Sequence, residues 1–193
     1  MTTSTETTTK FEQFKARAEA VGAEVHRFGT RSDALDFILS FLRKEGVADT
    51  PGAHALWAAG PYLQDMDPTT LREKVPGLRF EVTRELAADS LVGISEAGYA
   101  LTDTGSLVTD QAAIEQRLVS TLSSIHIALI GTDRILEDKT AVFRKINPKN
   151  SRYIAFITGP SRTADIERVL TIGVHGPKRL VIVFTDKPGG ANQ

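Results

Sequence analysis

Two stretches hold most of the side chains whose types and spacing could do chemistry. Residues 91–109 read LVGISEAGYALTDTGSLVT, placing Ser95, Glu96, Thr102, Asp103, Thr104 and Ser106 among Gly93, Gly98 and Gly105. A carboxylate such as Glu96 can attack an acyl group as a nucleophile. Asp103, if buried, can accept a proton, although an Asp beside Thr-Gly equally builds a turn on its own backbone. Thr104, Gly105 and Ser106 offer hydroxyls and a backbone that a ligand can approach closely. The same composition also describes a glycine-rich β-hairpin with solvated polar tips.

The second stretch, residues 153–177, reads YIAFITGPSRTADIERVLTIGVHGP. Its apolar start predicts a buried strand, and Ile166, Val169, Leu170 and Val174 recur at the spacing of one helix face. Between them stand Gly159, Pro160, Ser161, Arg162 and Thr163. A helix start leaves unpaired amides and partial positive charge, Gly159 admits close approach, and Arg162 adds a full charge. These residues are predicted to seat a phosphate or carboxylate. Ser161 or Thr163 could equally act only as the helix cap, and Asp165 could complement the dipole. The spacing is not that of a P-loop. His175 precedes Gly176-Pro177, where it could cap the last carbonyls or serve as an acid–base group. Leu180–Phe184 supplies a second apolar run, so the unit reads as βαβ.

The rest of the chain must position these groups. Residues 1–10 are threonine-rich and predicted as a disordered tail, leaving residues 11–193 as one domain. Phe11, Phe14, Ala18 and Val21 mark a helix face ended by Gly22. Residues 23–28 read as an edge strand, and Ser32 as the cap of a helix burying Leu35, Ile38, Leu39 and Leu42. A strand over residues 54–58, a weaker helix over 66–75 and a strand over 78–82 follow. Residues 113–122 read as a short helix, 126–130 as a strand, and 132–146 as one helix capped by Thr132. His126 and Trp57 read as core residues. Alternating strands and helices predict a parallel sheet covered on both faces, with ligands at the strand ends, where Arg162 and residues 104–106 are expected to converge.

Composition limits the function classes. The chain has 193 residues, 41% of them hydrophobic and 24% charged, and a net charge of −1, with no signature of a nucleic-acid binder. No run approaches the roughly 20 apolar residues of a membrane span, and the start has no apolar signal region. There is no cysteine, which removes disulfides, thiolate catalysis and cysteine-held iron–sulfur or zinc sites. The four histidines are scattered, so no metal site is predicted. These features fit a cytoplasmic protein.

GISEA at residues 93–97 followed by ALTDTGSL at 100–107 resembles the A-x-x-TG-S/T-L signature of the LUD domain family. ITGPSRTADIE at 157–167, with GVHGP at 173–177, resembles that family's C-terminal signature, and the region of Arg117, Ser123, Ser124 and His126 is similar too. Length and the lack of cysteine resemble the short, lactate utilization protein C group. The resemblance implies a NagB/RpiA/CoA-transferase-like α/β fold, a three-layer α/β/α sandwich with a mixed, mostly parallel sheet. It also implies a part in oxidising L-lactate to pyruvate alongside partners that carry iron–sulfur clusters, with no cofactor in this chain. A small anionic metabolite (lactate, pyruvate or a phosphorylated ligand) would bind at residues 104–106 and 159–163. Glu96, Asp103 and His175 are the catalytic candidates. Ser95-Glu96-Ala97-Gly98 is also similar, over a short span, to the glutamate nucleophile motif of CoA transferases. This leaves a stand-alone transferase or sugar-phosphate enzyme, or a non-enzymatic metabolite sensor, as alternatives.

Overall fold

A computed structural model describes residues 4–111, 113–151, 153–162 and 176–186. Six strands form a parallel sheet: β1 (Glu24–Phe28), β2 (Ala55–Trp57), β3 (Leu78–Arg79), β4 (Val92–Glu96), β7 (Ile125–Gly131) and β10 (Arg179–Thr185), in the order β1-β10-β7-β4-β2-β3. The central strands are apolar on both faces, because both faces are covered. Val92, Ile94, Ile127, Leu129, Val181 and Val183 pack under α2 (Arg31–Lys44) and α3 (Pro68–Lys74). On the other face Ala128, Ile130, Ile182 and Phe184 meet α1 (Ser4–Ala20). Leu56 and Ala58 meet α4 (Arg84–Ala88) and α5 (Ile114–Leu122) on that side.

A second sheet shares the α1 side, ordered β8 (Ile135–Leu136), β5 (Tyr99–Leu101), β6 (Ser106–Asp110), β9 (Ile154–Ile157). Leu107 and Ala100 turn inward to the α1 core, while Leu101 and Val108 take Val142 and Ile146 on the outer side. The outer helix is α6 (Lys139–Phe143). The expected α/β fold with a mostly parallel sheet is present, and the second sheet is added to one of its helical layers.

Four local expectations change. The βαβ unit does not form, because β9 joins the small sheet antiparallel to β6 while β10 lies between β1 and β7 in the large one. All four β9 residues are only half-buried, as befits a strand outside the main core. Residues 4–10, expected in a tail, form the first turns of α1, with Lys10 paired to Glu6 at 2.9 Å. This i,i+4 pair extends a helix already anchored by Phe11 and Phe14. Residues 132–146 split into a 3-10 turn, β8 and α6, since Ile135 pairs with Ala100 and Asp138 caps a new helix by accepting from the Ala141 amide at 2.8 Å. The cap of α2 is Thr30, which accepts from Asp33 N, rather than Ser32. The predicted helix over residues 163–175 lies outside the described residues, as do Thr163 and His175.

His126 is fully buried between the sheet and its covering layer, 2.9 Å from Ser95 Oγ through Nε2. Burial pushes its imidazole down to about 4. With an unfolded value near 6.5, the protein gains stability from a neutral His126 above that pH and loses it as pH falls toward 4. That loss amounts to about 3 kcal/mol. Urea unfolding at pH 7 and pH 4.5 should show the drop, and His126→Gln should show less of it.

Candidate functional site

Parallel pairing places the carboxyl ends of β2, β4, β7 and β10 on one edge of the sheet. Open α/β sheets bind ligands at this edge. Here a crevice of about 650 Å³ opens between that edge and the small sheet. Its floor comes from Leu129, Ile130, Gly131 and Thr185 at the ends of β7 and β10. Its walls carry Glu96, Tyr99, Asp110, Gln111, Gln116 and Arg134. A volume in this range suits a drug-sized ligand more than a three-carbon acid.

Glu96 is the last residue of β4, and its Oε1 accepts the Tyr62 backbone N–H at 2.6 Å. The carboxylate rests against Gly60, where an added Cβ would lie 2.3 Å from Oε1. Glycine at position 60 therefore makes room for the acid. Tyr62 sits in a 3-10 turn (Pro61–Leu63), and Arg31 at the start of α2 holds that turn. The Arg31 guanidinium donates to Tyr62 O and, at 2.7 Å, to Gln64 O. The Tyr62 hydroxyl donates back to Arg31 O at 3.0 Å, and its ring leans on the buried Trp57 at 5.8 Å. Burial raises the Glu96 acid above its ordinary value, opposed by the Tyr62 amide and the Arg31 charge. Burial likewise pushes the Tyr62 phenol up to about 12, so it stays a neutral donor. Gln116 Nε2 donates to Ala59 O at 3.0 Å, tying α5 to the same loop.

The other expected site residues gather elsewhere. Gly105 and Gly159 both have positive φ, 66° and 69°, and both press on the end of α1. A Cβ at Gly105 would lie 2.4 Å from Ala18 N, and one at Gly159 would lie 2.4 Å from Val21 O. Ser106 Oγ meets Thr158 Oγ1 at 2.7 Å, joining the two motifs. Arg162 donates to Val21 O at 2.8 Å, and the Ser161 amide to Pro177 O at 2.8 Å. Pro160 packs beside Gly22. Thr104 donates to Asp103 Oδ1 at 3.0 Å, and Asp103 is exposed, in a turn. So residues 104–106 and 159–162 do converge, but at the amino-terminal edge of the large sheet, where α1 enters β1. They sit at the opposite end of β6 from Asp110, and a five-residue strand spans roughly 15 Å.

Of the expected catalytic residues, Glu96 alone lines the crevice among the described residues. Tyr62, Gln111, Gln116 and Arg134 were missed, because each is contributed by a different element. Gly60-Pro61, directly after β2, is the sequence signal for the turn that carries Tyr62.

Residues 11–185 match the LUD domain family. Lactate utilization protein C of Anoxybacillus flavithermus is 36% identical over 105 residues, 53% of this chain and 48% of that protein. The protein of the same name from Halalkalibacterium halodurans is 33% identical over 108 residues, 53% and 47% of the two chains. The uncharacterized protein YkgG of Escherichia coli is 32% identical over 106 residues, 52% and 46%. The alignments thus span about half the length of these curated relatives. A crystal structure of a DUF162 family protein from Deinococcus radiodurans superposes with a TM-score of 0.66 at 16% identity, covering 93% of this chain and 98% of that one. This likeness shows the fold.

Because the Glu96 acid is raised, ionising it costs folded-state stability as pH climbs from the unfolded value near 4.5 through the raised one. Glu96→Gln should therefore remove a decline in melting temperature over that window. Arg31→Ala should move the Glu96 carboxyl titration, followed by NMR, further upward. A downward move would show that Arg31 does not act on the acid.

Proposed function

This chain belongs to the LUD domain family, and we propose that it is the cluster-free component of an L-lactate-oxidising system, acting in the crevice at the carboxyl edge of its sheet. The similarity to lactate utilization protein C carries this reading. Oxidising lactate to pyruvate releases two electrons and two protons. The chain has no cysteine with which to ligate iron–sulfur clusters, so the electrons pass to partner proteins that hold them. Among the described residues no group of three or more His, Cys, Asp or Glu is placed to hold a metal ion. None of the described helices is long and apolar enough to cross a membrane.

Glu96 is the proposed proton acceptor. Its raised affinity for a proton brings it nearer the range where a carboxylate works as a general base. The Tyr62 amide and Gly60 hold it in place, and Gln111 and Gln116 supply neutral polar groups along the wall. A further anion seat at residues 104–106 and 159–162 belongs to the same proposal, with Thr163 outside the described residues; the link between Ser106 and Thr158 and the exposed Arg162 support it. A second reading, an acyl transferase with Glu96 as nucleophile, draws on the crevice being much larger than a small hydroxy acid.

Deleting the gene in a strain with no other lactate dehydrogenase should abolish growth on L-lactate as sole carbon source, and the intact gene should restore it. Glu96→Gln should fail to restore growth, and Arg162→Ala should restore it poorly. Normal growth of the deletion strain would overturn the lactate reading. Full rescue by Arg162→Ala would remove the second seat alone.

A further inference from the structure

The crevice does not stand alone. A smaller cavity of about 300 Å³ adjoins it and shares Tyr99 and Arg134 with it. The two differ in charge. The large crevice is lined by the carboxylates Glu96 and Asp110 and by Arg134, which it shares with the small cavity. The small cavity is lined by three cations, Lys10, Arg134 and Lys145, and one carboxylate, Asp133. Thr7 and Thr132 add hydroxyls to its wall.

These cations come from three separate elements. Lys10 projects from α1, Arg134 from the 3-10 turn (Thr132–Arg134) after β7, and Lys145 from the segment after α6. Three carboxylates stand beside them, Glu6 and Glu137 by Lys10 and Asp133 by Arg134, so the groups most open to a ligand are Lys145 and the loosely held Arg134. Lys10 pairs with Glu6 at 2.9 Å and stands 4.0 Å from Glu137. Arg134 Nε lies 3.6 Å from Asp133, with both side chains half-exposed. Lys145 has no ion pair among the described residues. The exposed Arg134–Asp133 pair is weak, so an incoming anion competes with it at little cost.

We propose that this small cavity is an anion subsite that binds the phosphate group of a ligand whose uncharged polar end reaches Glu96 in the crevice. The proposal rests on the reading that the crevice is the ligand site, and it places there a phosphorylated ligand that competes with lactate for Glu96. Glu96 and Asp110 repel an anion at one end, and Lys145 with Arg134 receives it at the other, which sets the direction in which the ligand lies. Phosphate suits the three donors better than a monocarboxylate does, because it carries more charge and more acceptor oxygens. Such a ligand spans both cavities, which a three-carbon acid does not. This subsite is separate from Arg162, which lies at the opposite edge of the sheet.

Titration with inorganic phosphate at constant ionic strength, followed by calorimetry and amide NMR shifts, tests the subsite. Saturable binding with shifts at Tyr99, Thr132 and Lys145 is expected. Lys145→Ala and Arg134→Ala should each weaken it about tenfold, the value of one charge-assisted hydrogen bond. Glu96→Gln should leave phosphate affinity within about twofold, since no direct contact is lost. Glycerol phosphate should bind more tightly than phosphate, and Glu96→Gln should erase that advantage. Binding that is absent, or unchanged in the Arg134/Lys145 double variant, would overturn the subsite. Binding lost only in Arg162→Ala would overturn it too and move the anion to the other edge. Equal affinities for the two probes would overturn the ligand's direction. All of these readouts are independent of growth on lactate, so the subsite and the lactate reading can fail separately.

Discussion

The structure depends on β10 taking its place between β1 and β7. This strand arrives last among the described elements, yet it pairs along its full length with β7 and along five residues with β1. Its residues are buried on both faces: Val181 and Val183 under α2, Leu180, Ile182 and Phe184 under α1. Phe184 meets Phe11 and Phe14 edge-on, each at 5.3 Å, so the strand also anchors the first helix. Each such side chain contributes about 2 kcal/mol or more on burial. Without β10, β1 would have no partner, α1 would lose its floor, and Thr185 would not reach the crevice. Pairing across this much sequence is slow to form, because loop closure precedes the reward.

That insertion fixes polarity. With every strand of the large sheet parallel, one edge collects all the carboxyl ends and the other all the amino ends. The Glu96 loop, the Gly60 turn and Thr185 fall on the first edge, while Gly105, Gly159 and Arg162 fall on the second with the end of α1. Gly105 and Gly159, both at positive φ, have no room for a side chain because the backbone of α1 and of the turn after it lies against them. Signature glycines of this kind can report packing as directly as ligand approach. A motif's chemistry is therefore read from the edge it occupies as well as from its residue types.

Much of the fold was legible in the sequence. The faces of α1 and α2, the edge position of β1, and the strands β2, β4, β7 and β10 follow from apolar spacing, which burial on one or two faces dictates. Spacing does not name a strand's partner, so β9 looked like the neighbour of β10 and instead bonds to β6. Five-residue helices such as α4 and α6 carry too few turns for a periodic signal, and only their caps, Thr83 and Asp138, announce them. Of the crevice, Glu96 was visible because it sits in a glycine-rich stretch. Arg134 and Lys145 were not, since they were expected on one continuous helix where the structure has a 3-10 turn, β8 and α6.

The break at 132–146 has a chemical consequence. A single helix from Thr132 to Ile146 would place Arg134 and Lys145 eleven residues apart, close to three turns and roughly 16 Å along one axis. The observed path bends the chain back instead, with Ile135 and Leu136 pairing to Ala100 and Leu101 and α6 lying over the outer face of the small sheet. Both cations then line one cavity together with Lys10. The apolar residues Ile135, Val142 and Ile146 are buried in either arrangement, so hydrophobic patterning does not choose between them. The Asp138 cap and the β5–β8 pairing do, and they set the charge of the cavity beside Glu96.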